Sequence, residues 1–173
     1  MQKLIYALTR FEGRIGRGQF WLGAVLVIGV TILLSFIAYS LGFGVSTSET
    51  GYFVNSAGER ADISQTRFTV TPWAGLIISA LMTWPWIALG VKRRHDRDFS
   101  GNDMLGFMAL GLFSQFLGVL GTSGFFLTAL SIVWFVWAIC LFILLGCLKG
   151  TVGDNKFGPD PLLVTPEPAK VPS

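Results

Sequence analysis

The fold is decided by a run of 45 residues without Lys, Arg, Asp or Glu, residues 104–148: MLGFMALGLFSQFLGVLGTSGFFLTALSIVWFVWAICLFILLGCL. As a single helix this run would be about 68 Å long, more than twice the roughly 30 Å of a bilayer core. It must therefore fold back on itself. The sequence Gly-Thr-Ser-Gly at 121–124 is typical of a turn, and it predicts two helices, at about 104–121 and 125–148.

Two further uncharged blocks precede this run. No Lys, Arg, Asp or Glu occurs from 18 to 48 or from 68 to 91. Each block fits one membrane-spanning helix of about 20 apolar residues, predicted at about Phe20–Phe43 and Phe68–Val91. Hydrophobic residues make up 52% of the chain, charged residues 13%, and the mean hydropathy is +0.62. This composition excludes a disordered chain and an ordinary soluble enzyme.

The sequence thus predicts an all-α fold, a four-helix transmembrane bundle forming a single membrane domain over residues 1–161. Two longer connections join the helices: an outer loop at 44–67 and a cytoplasmic loop at 92–103. The outer loop is polar with one apolar island, and either a small hairpin or disorder fits it. The proline-rich tail, 162–173, is predicted to be disordered.

The basic residues predict the orientation of the helices. Eleven of the 13 Lys and Arg fall in the N-terminal arm, the second loop or the tail. Four crossings place these three segments on one side of the membrane, and an excess of basic residues marks the cytoplasmic side. Both termini are therefore expected in the cytoplasm. No metal or disulfide framework is expected, because the two cysteines lie within the last apolar block.

Three polar stretches on the predicted cytoplasmic side hold the candidate functional residues, at 11–21, 92–101 and 150–161. One hypothesis is a structural cap, because Arg–carboxylate pairs are geometrically specific. In it, Arg14 and Arg17 pair with Asp96, Asp98 or Asp103, and Asp160 pairs with Arg93 or Arg94. Its proposed members besides the arginines are His95, Asp96, Asn155 and Asp160.

A second hypothesis is a site for an anionic ligand such as a phospholipid headgroup. Basic pockets on the cytoplasmic side of a membrane protein can hold such groups. The expected ligand-binding residues are Arg14, Arg17, Arg93, Arg94 and Arg97.

Catalysis is the least favoured interpretation of these stretches. His95 is the only histidine, and its neighbour Asp96 would not face it on a helix. A single histidine without clustered cysteines or carboxylates is a poor metal site. The prediction is therefore no catalytic residue, no metal and no cofactor.

The three stretches resemble the motifs of the bacterial membrane proteins grouped as domain of unknown function 805. The first motif is matched by Phe11, Gly13, Arg14, Arg17, Phe20 and Trp21. The second is matched by Arg93, Arg94, His95, Asp96, Ser100 and Gly101. The third is matched by Gly150, Gly153, Asn155, Phe157, Gly158, Pro159, Asp160 and Pro161. The resemblance spans about 1–161 and implies a bacterial inner-membrane location, but no activity.

The leading function hypothesis is a non-enzymatic membrane protein with a structural, lipid-associated or partner-binding role. Its expected partners are membrane lipids, including anionic phospholipid, and either a second copy or another membrane protein. A small oligomeric transporter or channel is the alternative, and a lipid-headgroup enzyme is the third candidate. Nucleic-acid binding is not expected, since topology already accounts for the basic residues.

Overall fold

The computed structural model describes residues 8–56 and 58–162 of the chain. The predicted tail, 162–173, lies outside the described residues apart from Leu162. The described chain forms four helices and one two-stranded sheet. In chain order these are α1 (Arg17–Ala38), β1 (Gly44–Val54), β2 (Arg60–Val70), α2 (Pro72–His95), α3 (Asn102–Val119) and α4 (Phe125–Leu141). Short π-helical turns extend α1 over Tyr39–Phe43 and α4 over Phe142–Cys147.

The predicted helices all exist, with shifted ends. Helix α2 begins at Pro72 rather than Phe68, because the preceding residues pair in a strand and proline suits the first helical turn. It runs through the internal Pro85 to His95, so the predicted loop 92–103 is shortened to the few residues between α2 and α3. Gly101, at φ +77°, starts α3, and a Cβ there would lie 2.9 Å from the Cα of Val91. A glycine is required by both constraints.

Three helical segments are long and apolar enough to cross a membrane. They are Arg17–Phe43, Pro72–His95 and Phe125–Cys147. Helix α3 has 18 residues, which corresponds to about 27 Å and falls slightly short of a typical bilayer core. Three candidate spans are therefore established among the described residues, as expected of a membrane protein.

The expectation of a purely α-helical chain is wrong at the outer loop. Residues 44–54 and 60–70 form an antiparallel hairpin in which Gly44 pairs with Val70 and Val54 pairs with Arg60. Both strands contain β-branched and aromatic residues, which favour extended backbone. Asn55 closes the turn through hydrogen bonds with Glu59. Of the two alternatives left open by the sequence, the structure contains the hairpin.

The helices pack in chain order, α1 on α2, α2 on α3 and α3 on α4. Close approach depends on small residues facing large ones. A Cβ on Gly23 of α1 would lie 2.5 Å from Leu89 Cδ2 of α2, and Leu89 is fully buried. The helices alternate in direction, so the arm before α1, the α2–α3 connection and the segment after α4 meet at one end of the bundle. The hairpin and the 121–124 turn connect the helices at the opposite end.

Candidate functional site

The polar cap is the cluster formed by residues 13–17, 93–98 and 144–162 at the end of the bundle opposite the hairpin. Its centre is Asp96, which follows the last residue of α2 and is 4% exposed. One carboxylate oxygen, Oδ1, accepts hydrogen bonds from Arg14 Nε at 3.2 Å and Nη2 at 3.1 Å. The other, Oδ2, accepts one from Arg93 Nη1. Two arginines thus neutralise one buried carboxylate.

Arg14 joins the arm to both other segments of the polar cap. Besides binding Asp96, its Nη1 donates to the carbonyl of Gly153 at 2.7 Å, and its Nη2 donates to the carbonyl of Thr151 at 2.7 Å. Its side chain is 1% exposed. Every nitrogen of the guanidinium group therefore has a partner inside the protein, as a buried arginine requires.

At the end of the α4 segment, which is α4 with its π-helical extension, the backbone carbonyls are bound by side chains of other elements. The final carbonyls of a helix lack intrahelical partners and form the negative end of its dipole. Here five consecutive carbonyl oxygens each accept a side-chain hydrogen bond. In order from residue 144 to residue 148, the donors are Arg97, Arg93, Trp21, Arg17 and Arg93 again.

The segment after α4 is held by main-chain contacts as well as by arginines. The carbonyl of Asp96 accepts hydrogen bonds from Thr151 N at 2.8 Å and Thr151 Oγ1 at 3.1 Å. A Cβ on Gly150 would overlap the Asp96 carboxylate. Glycine at this position therefore lets the backbone pass close enough to Asp96 for the Thr151 bonds to form.

His95 is also part of the polar cap. Its ring stacks on Phe157 with centroids 3.9 Å apart, and its Nδ1 lies 3.2 Å from the carbonyl oxygen of Gly13. Its own carbonyl accepts a hydrogen bond from Asn155 Nδ2 at 2.9 Å. The residue as a whole is 9% exposed. The histidine therefore joins the arm to the post-α4 segment, and the contact with Gly13 orients its ring.

Asp160 has main-chain partners rather than the arginine partners suggested by the sequence. Its carboxylate accepts hydrogen bonds from the N–H groups of Leu162 and Gly153, both at 2.9 Å. These two bonds, first that from Leu162, hold the pKa of Asp160 below its ordinary value of 3.8, and the nearby Arg14 acts in the same direction. Asp160 thus closes the loop from 153 to 162.

The five arginines suggested for anion binding differ in exposure and in how many of their hydrogen-bond donors are already bound within the protein. Arg14 and Arg93 are buried and fully engaged. Arg94 pairs with Asp103 at 2.9 Å and lies over the ring of Phe99. Arg97 is half-buried and bonds the carbonyl of Leu144. Arg17 alone is exposed, with one donor bound to the carbonyl of Cys147.

The basic groove is a surface depression of about 670 Å³ beside the polar cap. Arg17 and Lys149 supply its positive charge, and both side chains are exposed. It also contains the start of α1 at Gly16 and Gly18, which is the positive end of the helix dipole; the N–H of Gly16 donates to Gln19 Oε1 at 3.4 Å. The carboxylates of Asp96 and Asp160 border it, but each is already bonded as described above.

Comparison with known proteins adds the family. The sequence model of the family described as Protein of unknown function (DUF805) matches residues 8–159. The chain belongs to the DUF805 family. No curated protein and no solved structure matches it. The DUF805 match covers the arm, all four helices and nearly all of the polar cap, so the resemblance seen in the three motifs is confirmed.

Sequence reasoning missed the groups that complete this DUF805 polar cap. The carbonyls of residues 144, 145, 147 and 148 accept hydrogen bonds from Arg17, Arg93 and Arg97. Thr151 binds both Arg14 and the main chain of Asp96. Main-chain acceptors leave no signal in a sequence, because every residue has a carbonyl. The signal that was available is the position of the arginines, just before the first apolar block and just after the second, which predicts them on the same side as the end of the last helix.

Loss of Arg14 should destabilise the whole bundle. Arg14→Gln leaves the buried Asp96 carboxylate with one arginine, and breaking a buried pair in this way costs about 3–5 kcal/mol of unfolding free energy. Arg10→Gln is the matched control, since Arg10 is exposed and should change stability by less than about 0.5 kcal/mol. Thermal unfolding in detergent, followed by tryptophan fluorescence, measures both. Equal melting temperatures for the two variants would contradict a central role for the pair.

The closing loop of the polar cap should weaken in acid. Because the pKa of Asp160 is lowered in the folded protein, its stabilising effect is complete above the ordinary value of 3.8 and is lost as pH falls through the lowered folded value. The melting temperature of the native chain minus that of Asp160→Asn should therefore be constant from about pH 7 to 5 and shrink below about pH 4. A difference that persists unchanged to pH 3 would show that the charge of Asp160 is not involved.

Proposed function

We propose that this DUF805 protein is a four-span protein of a bacterial inner membrane, with both ends cytoplasmic, that binds anionic phospholipid headgroups without catalysing a reaction. The observation that carries the proposal is the basic groove, where two exposed cations stand next to a helix N-terminus. The lipid-associated role is thus preferred over the purely structural and partner-binding ones.

The sidedness rests on where the basic residues lie in the fold. The arm, the α2–α3 connection and the post-α4 segment meet at one end, and nine described Lys and Arg lie there: Arg10, Arg14, Arg17, Lys92, Arg93, Arg94, Arg97, Lys149 and Lys156. The hairpin carries Arg60 and Arg67. The positive-inside rule assigns the polar-cap end to the cytoplasm. Helix α3 is the fourth span, its short length being offset by tilt or local bilayer thinning.

The absence of catalysis is supported by the engagement of the polar groups. His95 is stacked on Phe157 and bonded to Gly13, and Asp96 is neutralised by two arginines. A general base needs free reach to a substrate proton. Neither residue has that reach in this arrangement, so both serve to hold the three segments together.

Headgroup binding is supported by the charge that the polar cap leaves unused. Arg17 has donors beyond the one bound to Cys147, and no ion pair of Lys149 occurs within the described residues. A phosphate in the basic groove would meet both cations and the positive end of the α1 dipole. Helix N-termini favour anions for this reason. The groove lies where α1 begins and the segment extending α4 ends, which is the headgroup level of the proposed topology.

The topology can be tested by labelling from outside the cell. In a chain with Cys140 and Cys147 replaced by Ser, a single cysteine is placed either at Gly58 in the hairpin turn or at Asp98 in the α2–α3 connection. A membrane-impermeant maleimide should label the Gly58→Cys chain in intact spheroplasts and the Asp98→Cys chain only after lysis. The reverse pattern, or labelling of both in intact spheroplasts, would overturn the proposed orientation.

The basic groove can be tested with native mass spectrometry and two charge-matched double variants. Phosphatidylglycerol and cardiolipin are added to the detergent-purified chain, with phosphatidylcholine as the uncharged comparison. Arg17→Gln with Lys149→Gln should lower anionic lipid binding by about tenfold or more, since each cation near the surface contributes about 1 kcal/mol. Arg10→Gln with Lys156→Gln removes the same charge at the same end of the bundle, but outside the groove.

If the groove is the site, only Arg17→Gln with Lys149→Gln should lower the binding of anionic lipid. Equal losses in the two double variants would show diffuse charge attraction, and unchanged binding in both would remove the groove from consideration. Lys149→Gln alone separates headgroup binding from the helix-end contact that Arg17 also makes.

A further inference from the structure

The central cavity is a second space, separate from the basic groove and lying between the helices near their middles. Its volume is about 560 Å³, within the roughly 300–1,000 Å³ typical of small-molecule sites. All four helices contribute to its wall, for example through Thr31, Thr83, Gly111 and Trp134. No charged side chain lines it among the described residues, so an occupant of this cavity is uncharged.

Ser114 presents a hydroxyl group without a partner at this cavity. Its Oγ is shielded from solvent and has no hydrogen-bond partner among the described residues. An unpaired hydroxyl in an apolar environment is unfavourable, because it has lost its hydrogen bonds to water, and water cannot supply a partner inside a bilayer core. A buried polar group of this kind therefore calls for an explanation.

Three of the four other hydroxyl side chains on the same wall are bonded within their own helix. The fourth, Ser79, has no such bond among the described residues, but only the Oγ of Ser114 is both unpaired and shielded from solvent there. Thr31, Thr83 and Ser131 each donate to the carbonyl four residues earlier in their own helix, at 2.8, 2.8 and 2.9 Å. This is the usual local solution for a hydroxyl in a helix. Ser114 does not adopt it, so its donor is left without a protein partner beside the cavity.

Trp134 supplies a second hydrogen-bond donor, its indole N–H, whose position is fixed by the packing of the ring. Its ring stacks on Phe107 with centroids 5.0 Å apart, and its indole nitrogen lies so close to Gly111 that a Cβ there would be 2.7 Å from Nε1. The indole N–H has no acceptor among the described residues. The amide of Gln115, the residue next to Ser114, lines the same cavity. Three hydrogen-bonding side chains on α3 and α4 therefore face one apolar space.

We infer that the central cavity binds one uncharged, mainly apolar molecule whose carbonyl oxygen accepts a hydrogen bond from Ser114 and is supported by Trp134. Aromatic and methionine side chains complete the wall, including Trp86 and Met108, and suit a flat or flexible apolar body. An ester of a neutral glycerolipid and the ring carbonyl of an isoprenoid quinone share this chemistry. The inference does not depend on headgroup binding at the basic groove.

Native mass spectrometry of the full chain in detergent tests the inference with two probes, dioleoylglycerol and decylubiquinone. The native chain should retain one copy of one of them, and the probe retained identifies the source of the carbonyl. Ser114→Leu removes the hydroxyl and fills part of the cavity, and should lower retention by about tenfold or more. Trp134→Phe keeps the aromatic packing but removes the N–H, and should lower it by about tenfold, the equivalent of one hydrogen bond of about 1.4 kcal/mol.

Ser35→Leu is the matched control, because Ser35 bonds the carbonyl of Thr31 in its own helix and does not line the cavity. It should bind the probe like the native chain. If Ser114→Leu does not fold, Trp134→Phe against Ser35→Leu still decides the question. The inference is overturned if neither probe is retained, or if the control loses binding equally. It is also overturned if the species lost with Ser114→Leu is an anionic phospholipid or a second copy of the chain.

Discussion

The buried carboxylate of Asp96 is the interaction on which the rest of the polar cap depends. A lone carboxylate in this position would carry a large desolvation cost, and Arg14 and Arg93 remove it from opposite sides. The same residue offers its main-chain carbonyl to Thr151. Asp96, at the end of α2, therefore joins the arm to the post-α4 segment. Its partner Arg14 lies 82 residues before it in the chain, and Thr151 lies 55 residues after it.

The arginines also bind the carbonyls at the end of the last helix. Five consecutive carbonyls at the end of the α4 segment are bonded by Arg17, Arg93, Arg97 and Trp21. The negative end of the helix dipole thus faces a positive cluster, which is the favourable arrangement. Four of the five arginines that were suggested for anion binding are engaged within the protein, by these carbonyls, by Asp96 or by Asp103. The charge left over, on Arg17 and Lys149, lies on the surface at the basic groove. The bundle thus separates two chemistries, charge at one end and unpaired hydrogen-bond donors in the apolar middle.

Much of the helical framework could be predicted from the sequence, and the reason is the length of the uncharged blocks. The 45-residue run had to turn at 121–124, and α3 and α4 lie on either side of that turn. The pairing of Arg14 with Asp96 was among the suggested pairs because Arg–carboxylate geometry is specific. The hairpin was left open, since Ser- and Thr-rich residues fit both a strand and a flexible loop, and only the register between 44–54 and 60–70 distinguishes them. The sequence suggested Arg93 or Arg94 as the partner of Asp160, but its carboxylate accepts hydrogen bonds from main-chain N–H groups instead. A sequence cannot show which carboxylates will bind main-chain N–H groups, because every residue except proline has one.

The sequence by itself determined that the chain forms apolar helices joined by basic connections at one end, because hydropathy and charge are properties of single residues summed along a segment. Only the tertiary structure decided how the arginine donors are shared between carboxylate and carbonyl, because those acceptors belong to residues up to 144 positions away. It alone placed Trp134 and the unpartnered Ser114 on the wall of one cavity, since a cavity exists only between packed helices. Local patterns specify elements, whereas a binding site depends on distances between elements that no local pattern contains.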